Sequence, residues 1–164
     1  MIRILGIDPG TNITGFGIID FERNKINYIH HSIIKTGLKN KYTTKLAILN
    51  EATENIIKEF MPNHVAVESV FFSVNAATAI KLGQARGAAI CACSRSGIDI
   101  FEYSPRKVKN VVTSSGAADK DELQKYVKKR LNIRRKLEID ASDALGVAIC
   151  HALMLMENED ISCV

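Results

Sequence analysis

The chain reads as an α/β protein built on a five-stranded mixed sheet with helices on both faces. Three strand-like segments come first, short apolar strands then alternate with segments of helical period, and the closing third is helical. The 164 residues, 46% apolar and 24% charged, suit one domain with one substantial core. That domain is placed at 1–156, with 157–164 a short acidic tail expected to fray.

Ile2 to Asp8 is apolar until its final residue and reads as a buried strand. PGTNITG then supplies turn chemistry, and residues 16–21 resume as a second strand, so the pair forms a hairpin. A third strand covers 25–36. Leu46, Leu49, Thr53, Ile56, Ile57 and Phe60 then recur every three or four residues along one face of a helix that Met61 and Pro62 end. HVAVES is a short fourth strand with Glu68 at its C-terminal end, where open α/β sheets present ligand-binding groups. Residues 75–95 form a long helix rich in small side chains (Gly83, Ala85, Gly87, Ala88, Ala89 and Ala92), which lets another helix or sheet approach its backbone closely. A fifth strand spans 98–103, Pro105 opens a helix, SSGAADK is a turn, Asp119 or Lys120 starts a basic helix, and the last helix covers about 141–156. This order is similar to the RNase H-like topology, which would set Asp8 beside Glu68 with the start of the last helix across them.

No apolar stretch reaches the eighteen or so residues needed to cross a membrane, and MIRILGIDPG meets Asp8 too early for a signal-peptide core. A cytoplasmic location is expected. Cys91, Cys93, Cys150 and Cys163 lack metal-ligand spacing with histidine and read as reduced, buried thiols. Charge is segregated: residues 106–136 hold eleven Lys or Arg against three Asp or Glu, whereas the rest of the chain is net acidic. Such a segment is either a solvated helix face or a nucleic-acid contact.

Asp140 and Asp143, three apart at a helix start, share one face and one terminus. Taken alone they would be a cap with an acidic partner in the first turn. Asp8 and Glu68 resist such a reading, because an acid closing an apolar strand must be solvated, paired or bound to metal. Four converging carboxylates would repel one another unless a cation intervenes, and magnesium prefers hard oxygen ligands. Two such ions roughly 3.5–4 Å apart can activate water and stabilise the leaving oxygen of a phosphodiester. Asp8 is expected to bridge them, with Glu68 and Asp143 on opposite sides and Asp140 a weaker ligand or a more distant base.

LGIDPGTNITGFGII, VAVESVFFSVNAATAIKLGQARGAA, FEYSPRKVKNVV and IDASDALGVAICHA resemble, in order, the signature segments of bacterial RuvC resolvases. The resemblance spans nearly the whole chain and implies an RNase H-like nuclease that makes paired symmetric nicks in four-way (Holliday) DNA junctions, leaving 5′-phosphate and 3′-hydroxyl ends. It also implies a Mg2+ site, with two ions per active site and Mn2+ as a substitute, a homodimer, and RuvA and RuvB as branch-migration partners. Asp8, Glu68, Asp140 and Asp143 match the family's catalytic acids, Asp140 at a position that also carries histidine in the family. Lys109 and Lys120 match DNA-contacting positions, and Arg106, Lys107, Lys128, Lys129 and Arg130 are expected to add phosphate contacts around them. Phe71 matches a residue that stacks on an unpaired base, although a pair of phenylalanines, Phe71 and Phe72, would otherwise read as core.

Two alternatives use the same residues. GIDPGTNITG also looks like the phosphate-binding hairpin of sugar kinases and actin-like ATPases, but those need two such domains and a second phosphate loop. A noncatalytic junction-binding module would keep the fold without the chemistry, yet all four acids are present.

Overall fold

A computed structural model describes residues 1–69 and 75–157. The elements are β1 (Ile2–Asp8), β2 (Ile13–Glu22), β3 (Lys25–Lys35), α1 (Tyr42–Phe60), β4 (His64–Glu68), α2 (Ala76–Arg95), β5 (Asp99–Tyr103), α3 (Pro105–Thr113), α4 (Lys120–Arg130) and α5 (Ile139–Met156). The five strands lie in the order β3-β2-β1-β4-β5. β1, β2 and β3 form an antiparallel meander, whereas β4 joins β1 and β5 joins β4 in parallel. This is the RNase H-like arrangement that the element order suggested.

The expected elements are all present; apart from one-residue shifts at the ends of β3, α2 and β5, three differences matter. β2 begins at Ile13 rather than 16, because the hairpin after β1 is tighter than its composition implied. The Thr14 hydroxyl donates to the Gly10 carbonyl at 3.0 Å and accepts from the Gly10 N–H at 3.1 Å, closing the turn at the edge of the sheet. α5 begins at Ile139, with Glu138 at its cap and no side-chain capping bond, so Asp140 is not the cap that the sequence alone allowed. The reading of buried thiols holds for Cys93 and Cys150, but Cys91 is exposed on the outer side of α2; Cys163 lies outside the described residues.

Local chemistry explains where the helices start and stop. Met61 takes the left-handed conformation that ends α1 before Pro62. Ser104 caps α3 with Pro105 in its first turn, and Asp119 and Glu122 form a reciprocal capping box at α4.

Two apolar layers cover the sheet. On one face α1 and α2 pack Leu49, Ile57, Ala85 and Ala89 against Leu5, Ile7 and Val65. On the other, α3, α4 and α5 pack Val108, Leu123, Leu145 and Ile149 against Ile4 and Ile19. α5 is 18 residues long with a mean hydropathy of 1.5, which by length and composition is enough to cross a membrane, contrary to the expectation for any stretch of this chain. Its burial against the sheet, with Asp143 and His151 inside the fold, makes it the core helix here.

α5 lies unusually close to the sheet, and two glycines permit this. A Cβ on Gly6 of β1 would sit 2.0 Å from the Ala144 carbonyl oxygen, and one on Gly15 of β2 would sit 1.9 Å from that of Asp140. Only a residue without a side chain lets helix backbone rest on strand backbone at these points.

Candidate active site

β1 and β4 run parallel with Ile7 opposite Val67, so the residues that follow, Asp8 and Glu68, emerge side by side at the same sheet end. α5 crosses β1 and β2 at that end, bringing Asp140 in its first turn and Asp143 in its second over the strand termini. The four acids predicted from sequence thus come from three elements to one place. Glu68, Asp143, Lys109 and Lys120 share a cleft of about 230 Å³ with Pro105, Val108 and Leu123.

Burial and mutual repulsion dominate the electrostatics. The Asp8 carboxyl is pushed up to about 8, first by burial and then by the negative charges of Glu68, Asp143 and Asp140, with Lys120 opposing. Glu68 is raised by burial and by Asp143, an effect partly offset by a hydrogen bond with Asp8 and by Lys120 and Lys109. Asp143 is raised by burial against the pull of Lys120, whose ammonium donates to its Oδ2 at 2.8 Å. Lys120, in turn, is raised chiefly by that hydrogen bond. Lys120 is therefore the main local counter-charge for Asp8, Glu68 and Asp143, with Lys109 adding to it at Glu68 and Asp143.

Among the described residues no three His, Cys, Asp or Glu side chains are already gathered to ligate one ion. The donor chemistry nevertheless fits a hard divalent cation: carboxylates from separate elements, close enough together that burial and then mutual repulsion raise their proton affinities. Lys120 stands where part of such a cation's charge would act.

The basic residues line adjoining surfaces, with Arg106 and Lys109 sharing a groove of about 420 Å³ with Pro105 and Gly116. Lys109 and Lys120 line the acidic cleft. Arg106 and Lys107 instead line a groove of about 790 Å³ with Ser104, Asn110, Ser114 and Gly116, on the side of α3 toward the end of α5. Phe71 lies outside the described residues.

Sequence reasoning left His151 without a role, and the structure assigns it one in the core. Fully buried, it bonds through Nδ1 to the Tyr103 hydroxyl at 2.7 Å and through Nε2 to His64 Nδ1 at 2.9 Å. Burial, and secondarily the neighbouring His64, drop its imidazole to about 3. The network reaches the sheet end, since Tyr103 is the register partner of Glu68. A histidine inside the apolar run ALGVAICHALMLM was the available signal.

The chain's likeness to known proteins agrees with this site. The family model described as Crossover junction endodeoxyribonuclease RuvC matches residues 4–151. A Crossover junction endodeoxyribonuclease RuvC from Geobacter sulfurreducens is 43% identical over 151 residues, covering 92% of each chain. The solved structure of Thermus thermophilus RuvC superposes with a TM-score of 0.87 at 26% identity, covering 99% of both chains. The same T. thermophilus protein in complex with a Holliday junction substrate gives 0.88 at 25%, again covering 99% of both. A single sheet whose parallel strands end in acids beneath a helix that adds two more, matched along almost its full length, places this chain in the RuvC family of crossover junction endodeoxyribonucleases, enzymes that resolve Holliday junctions.

Proposed function

We propose that Asp8, Glu68, Asp140 and Asp143 are the catalytic acids of this resolvase and that they hold Mg2+, two ions per site, with Mn2+ able to substitute. The observation that supports this is the convergence of four acids from β1, β4 and α5 beside Lys109 and Lys120. When bound, the metal supplies the positive charge that favours a hydroxide nucleophile and a departing oxyanion. The protein's part is positional. Asp8 and Glu68 are fixed by strand register, Asp143 by α5, and Lys109 and Lys120 draw the scissile phosphate over them. Arg106 and Lys107 carry the flanking strand along the outer groove. Phe71 holds an unpaired base at the crossover by stacking.

The working unit in this reading is a cytoplasmic homodimer of one domain per chain, 1–156. Its two sites nick strands of like polarity at symmetric points and leave 5′-phosphate and 3′-hydroxyl ends. RuvA and RuvB supply branch migration. Gly83 and Gly87 have open space where a side chain would stand, and Ile80 is 63% exposed, so the outer side of α2 can accept the second copy.

The test uses purified protein and a synthetic mobile four-way junction, with and without Mg2+. Paired symmetric nicks should require the metal, and Asp143→Asn should abolish nicking while binding survives or tightens, because phosphate repulsion falls. Nicking by Asp143→Asn at the wild-type rate would refute the metal assignment, since Asn would then be replacing a structural acid. Phe71→Ala should keep a melting temperature within a few degrees of wild type and nick far more slowly. A large thermal loss with normal cutting by the folded fraction would return Phe71 to the core, where truncation costs about 3–5 kcal/mol.

A further inference from the structure

The connector between α4 and α5 alternates buried and exposed positions in a way that displays three cations. Leu131, Ile133 and Leu137 are buried, while Arg134, Arg135 and Lys136 are exposed. The segment is anchored at both ends. The Ile133 N–H donates to the Lys128 carbonyl at 2.9 Å, Asn132 takes the left-handed conformation, and Gln124 Nε2 donates to the Leu137 carbonyl at 2.9 Å. Arg135 is further held against β3: its guanidinium lies 5.5 Å from the Tyr28 ring centroid and one nitrogen contacts the Tyr28 hydroxyl, which also meets His31 Nδ1 at 2.9 Å.

Arg3, Lys58, Arg86, Arg95 and Lys120 each lie against an acid. Among the described residues Arg134, Arg135 and Lys136 make no ion pair, and no acid interrupts them in sequence. Three adjacent like charges on a pinned turn raise the energy of the folded state and are relieved by a polyanion. Burial and the charge of Arg135 push the His31 imidazole down, while Glu138 opposes.

Position identifies the polyanion. The triad precedes α5 by a few residues and its Arg135 touches β3 at Tyr28, whereas Lys109 and Lys120 flank the acids from α3 and α4 beside Glu68 of β4. Tyr28 pairs with Ile19, which pairs with Ile4, four residues before Asp8, so the contact lies about 13 Å along the strands from the acids, room for a second stretch of backbone beside the one over the cleft. We infer that Arg134, Arg135 and Lys136 form a second phosphate-binding track, on the β3 side of the acidic cleft, that receives the backbone of a junction arm not being cut. Arg135, stacked on Tyr28, presents its guanidinium in the planar form that suits phosphate oxygens. The inference rests on the junction-DNA reading of the cleft.

The experiment is fluorescence anisotropy of a labelled four-way junction across a salt series, for wild type and for the triple variant Arg134→Ala/Arg135→Ala/Lys136→Ala, followed by cleavage at saturating protein. Each lost phosphate contact lowers the magnitude of the log affinity against log salt slope by roughly 0.9. The triple variant should therefore lose about two to three from that slope yet nick at the same positions within about twofold of the wild-type rate at saturation. Arg134→Gln/Lys136→Gln, which leaves the Tyr28 stack in place, should lose about one to two, and stands in if the triple variant does not melt cooperatively. An unchanged slope in a folded variant overturns the track and leaves the triad to an acidic protein. Wild type that binds no junction at any salt would instead sink the underlying reading.

Discussion

Lys120 occupies two electrostatic roles at once. Its ammonium neutralises Asp143 and tempers Asp8 and Glu68, yet the proposed function also asks it to attract a phosphate. These roles respond oppositely to its removal. Lys120→Ala should weaken junction binding and lower the salt slope by roughly one. The Mg2+ concentration for half-maximal nicking should meanwhile fall several-fold, because a competing cation has left the acids. A magnesium titration beside the anisotropy measurement checks this; if both affinities weaken together, Lys120 supports the acids rather than competing at them. His151 offers a test free of catalysis. Its folded-state value of about 3 lies below the ordinary 6.5, so as pH falls through 6.5 the unfolded chain binds a proton that the folded chain refuses. Stability is then lost at about 1.4 kcal/mol per pH unit, or about 2 kcal/mol between pH 7 and 5, which is roughly 4–8 °C in melting temperature. The raised acids act in the opposite sense over part of this range, so the relevant quantity is the difference from His151→Gln, which hydrogen-bonds without titrating. That variant should lose less stability on acidification; parallel melting curves at pH 7 and 5 would mean that His151 does not carry this dependence.

At the scale of elements, the site depends on how closely α5 approaches β1 and β2. Asp140 and Asp143 reach the strand ends because Gly6 and Gly15 leave no side chain between helix and sheet. Gly15→Ala would force a Cβ to within 1.9 Å of the Asp140 carbonyl oxygen unless α5 shifts. Relief of such a contact typically costs about 1–3 kcal/mol, within what a folded domain tolerates. Catalysis is less tolerant, since a displacement on the order of 1 Å can cost about a hundredfold. Gly15→Ala should therefore keep its circular dichroism and a cooperative melt while nicking falls by about two orders of magnitude. Normal nicking would show that α5 can slide without moving its acids. The helix that sets this geometry was legible from its apolar length, but its start was read two residues late, at 141 rather than 139. Asp140 looked like a cap because acids favour that position; in the folded chain Glu138 occupies it, anchored behind the buried Leu137.

For the whole molecule, the fold provides one acidic cleft, whereas paired nicks require two held at a fixed separation. The outer side of α2, with Ile80 exposed and open space at Gly83 and Gly87, is the surface proposed for the twofold contact. Ile80→Asp combined with Gly87→Glu should shift the sedimentation coefficient from dimer to monomer with little thermal loss, and paired nicks should give way to slow, unpaired ones. A variant that remains dimeric would move the interface to another surface. The sequence by itself determined the order and type of the described elements, because alternation, helical period and turn residues are local signals; it marked Asp8 and Glu68 as charged ends of apolar strands, whereas Asp140 and Asp143 read locally as a helix cap and joined them only through the RNase H-like topology that the element order resembled. Tertiary structure alone decided which lysines face the acids, that Lys120 bonds Asp143, that His151 joins Tyr103 to His64, and that Arg135 lies against Tyr28 of β3. Those facts depend on strand register and on the depth at which α5 settles, and both arise from contacts between residues far apart in the chain, which no local pattern encodes.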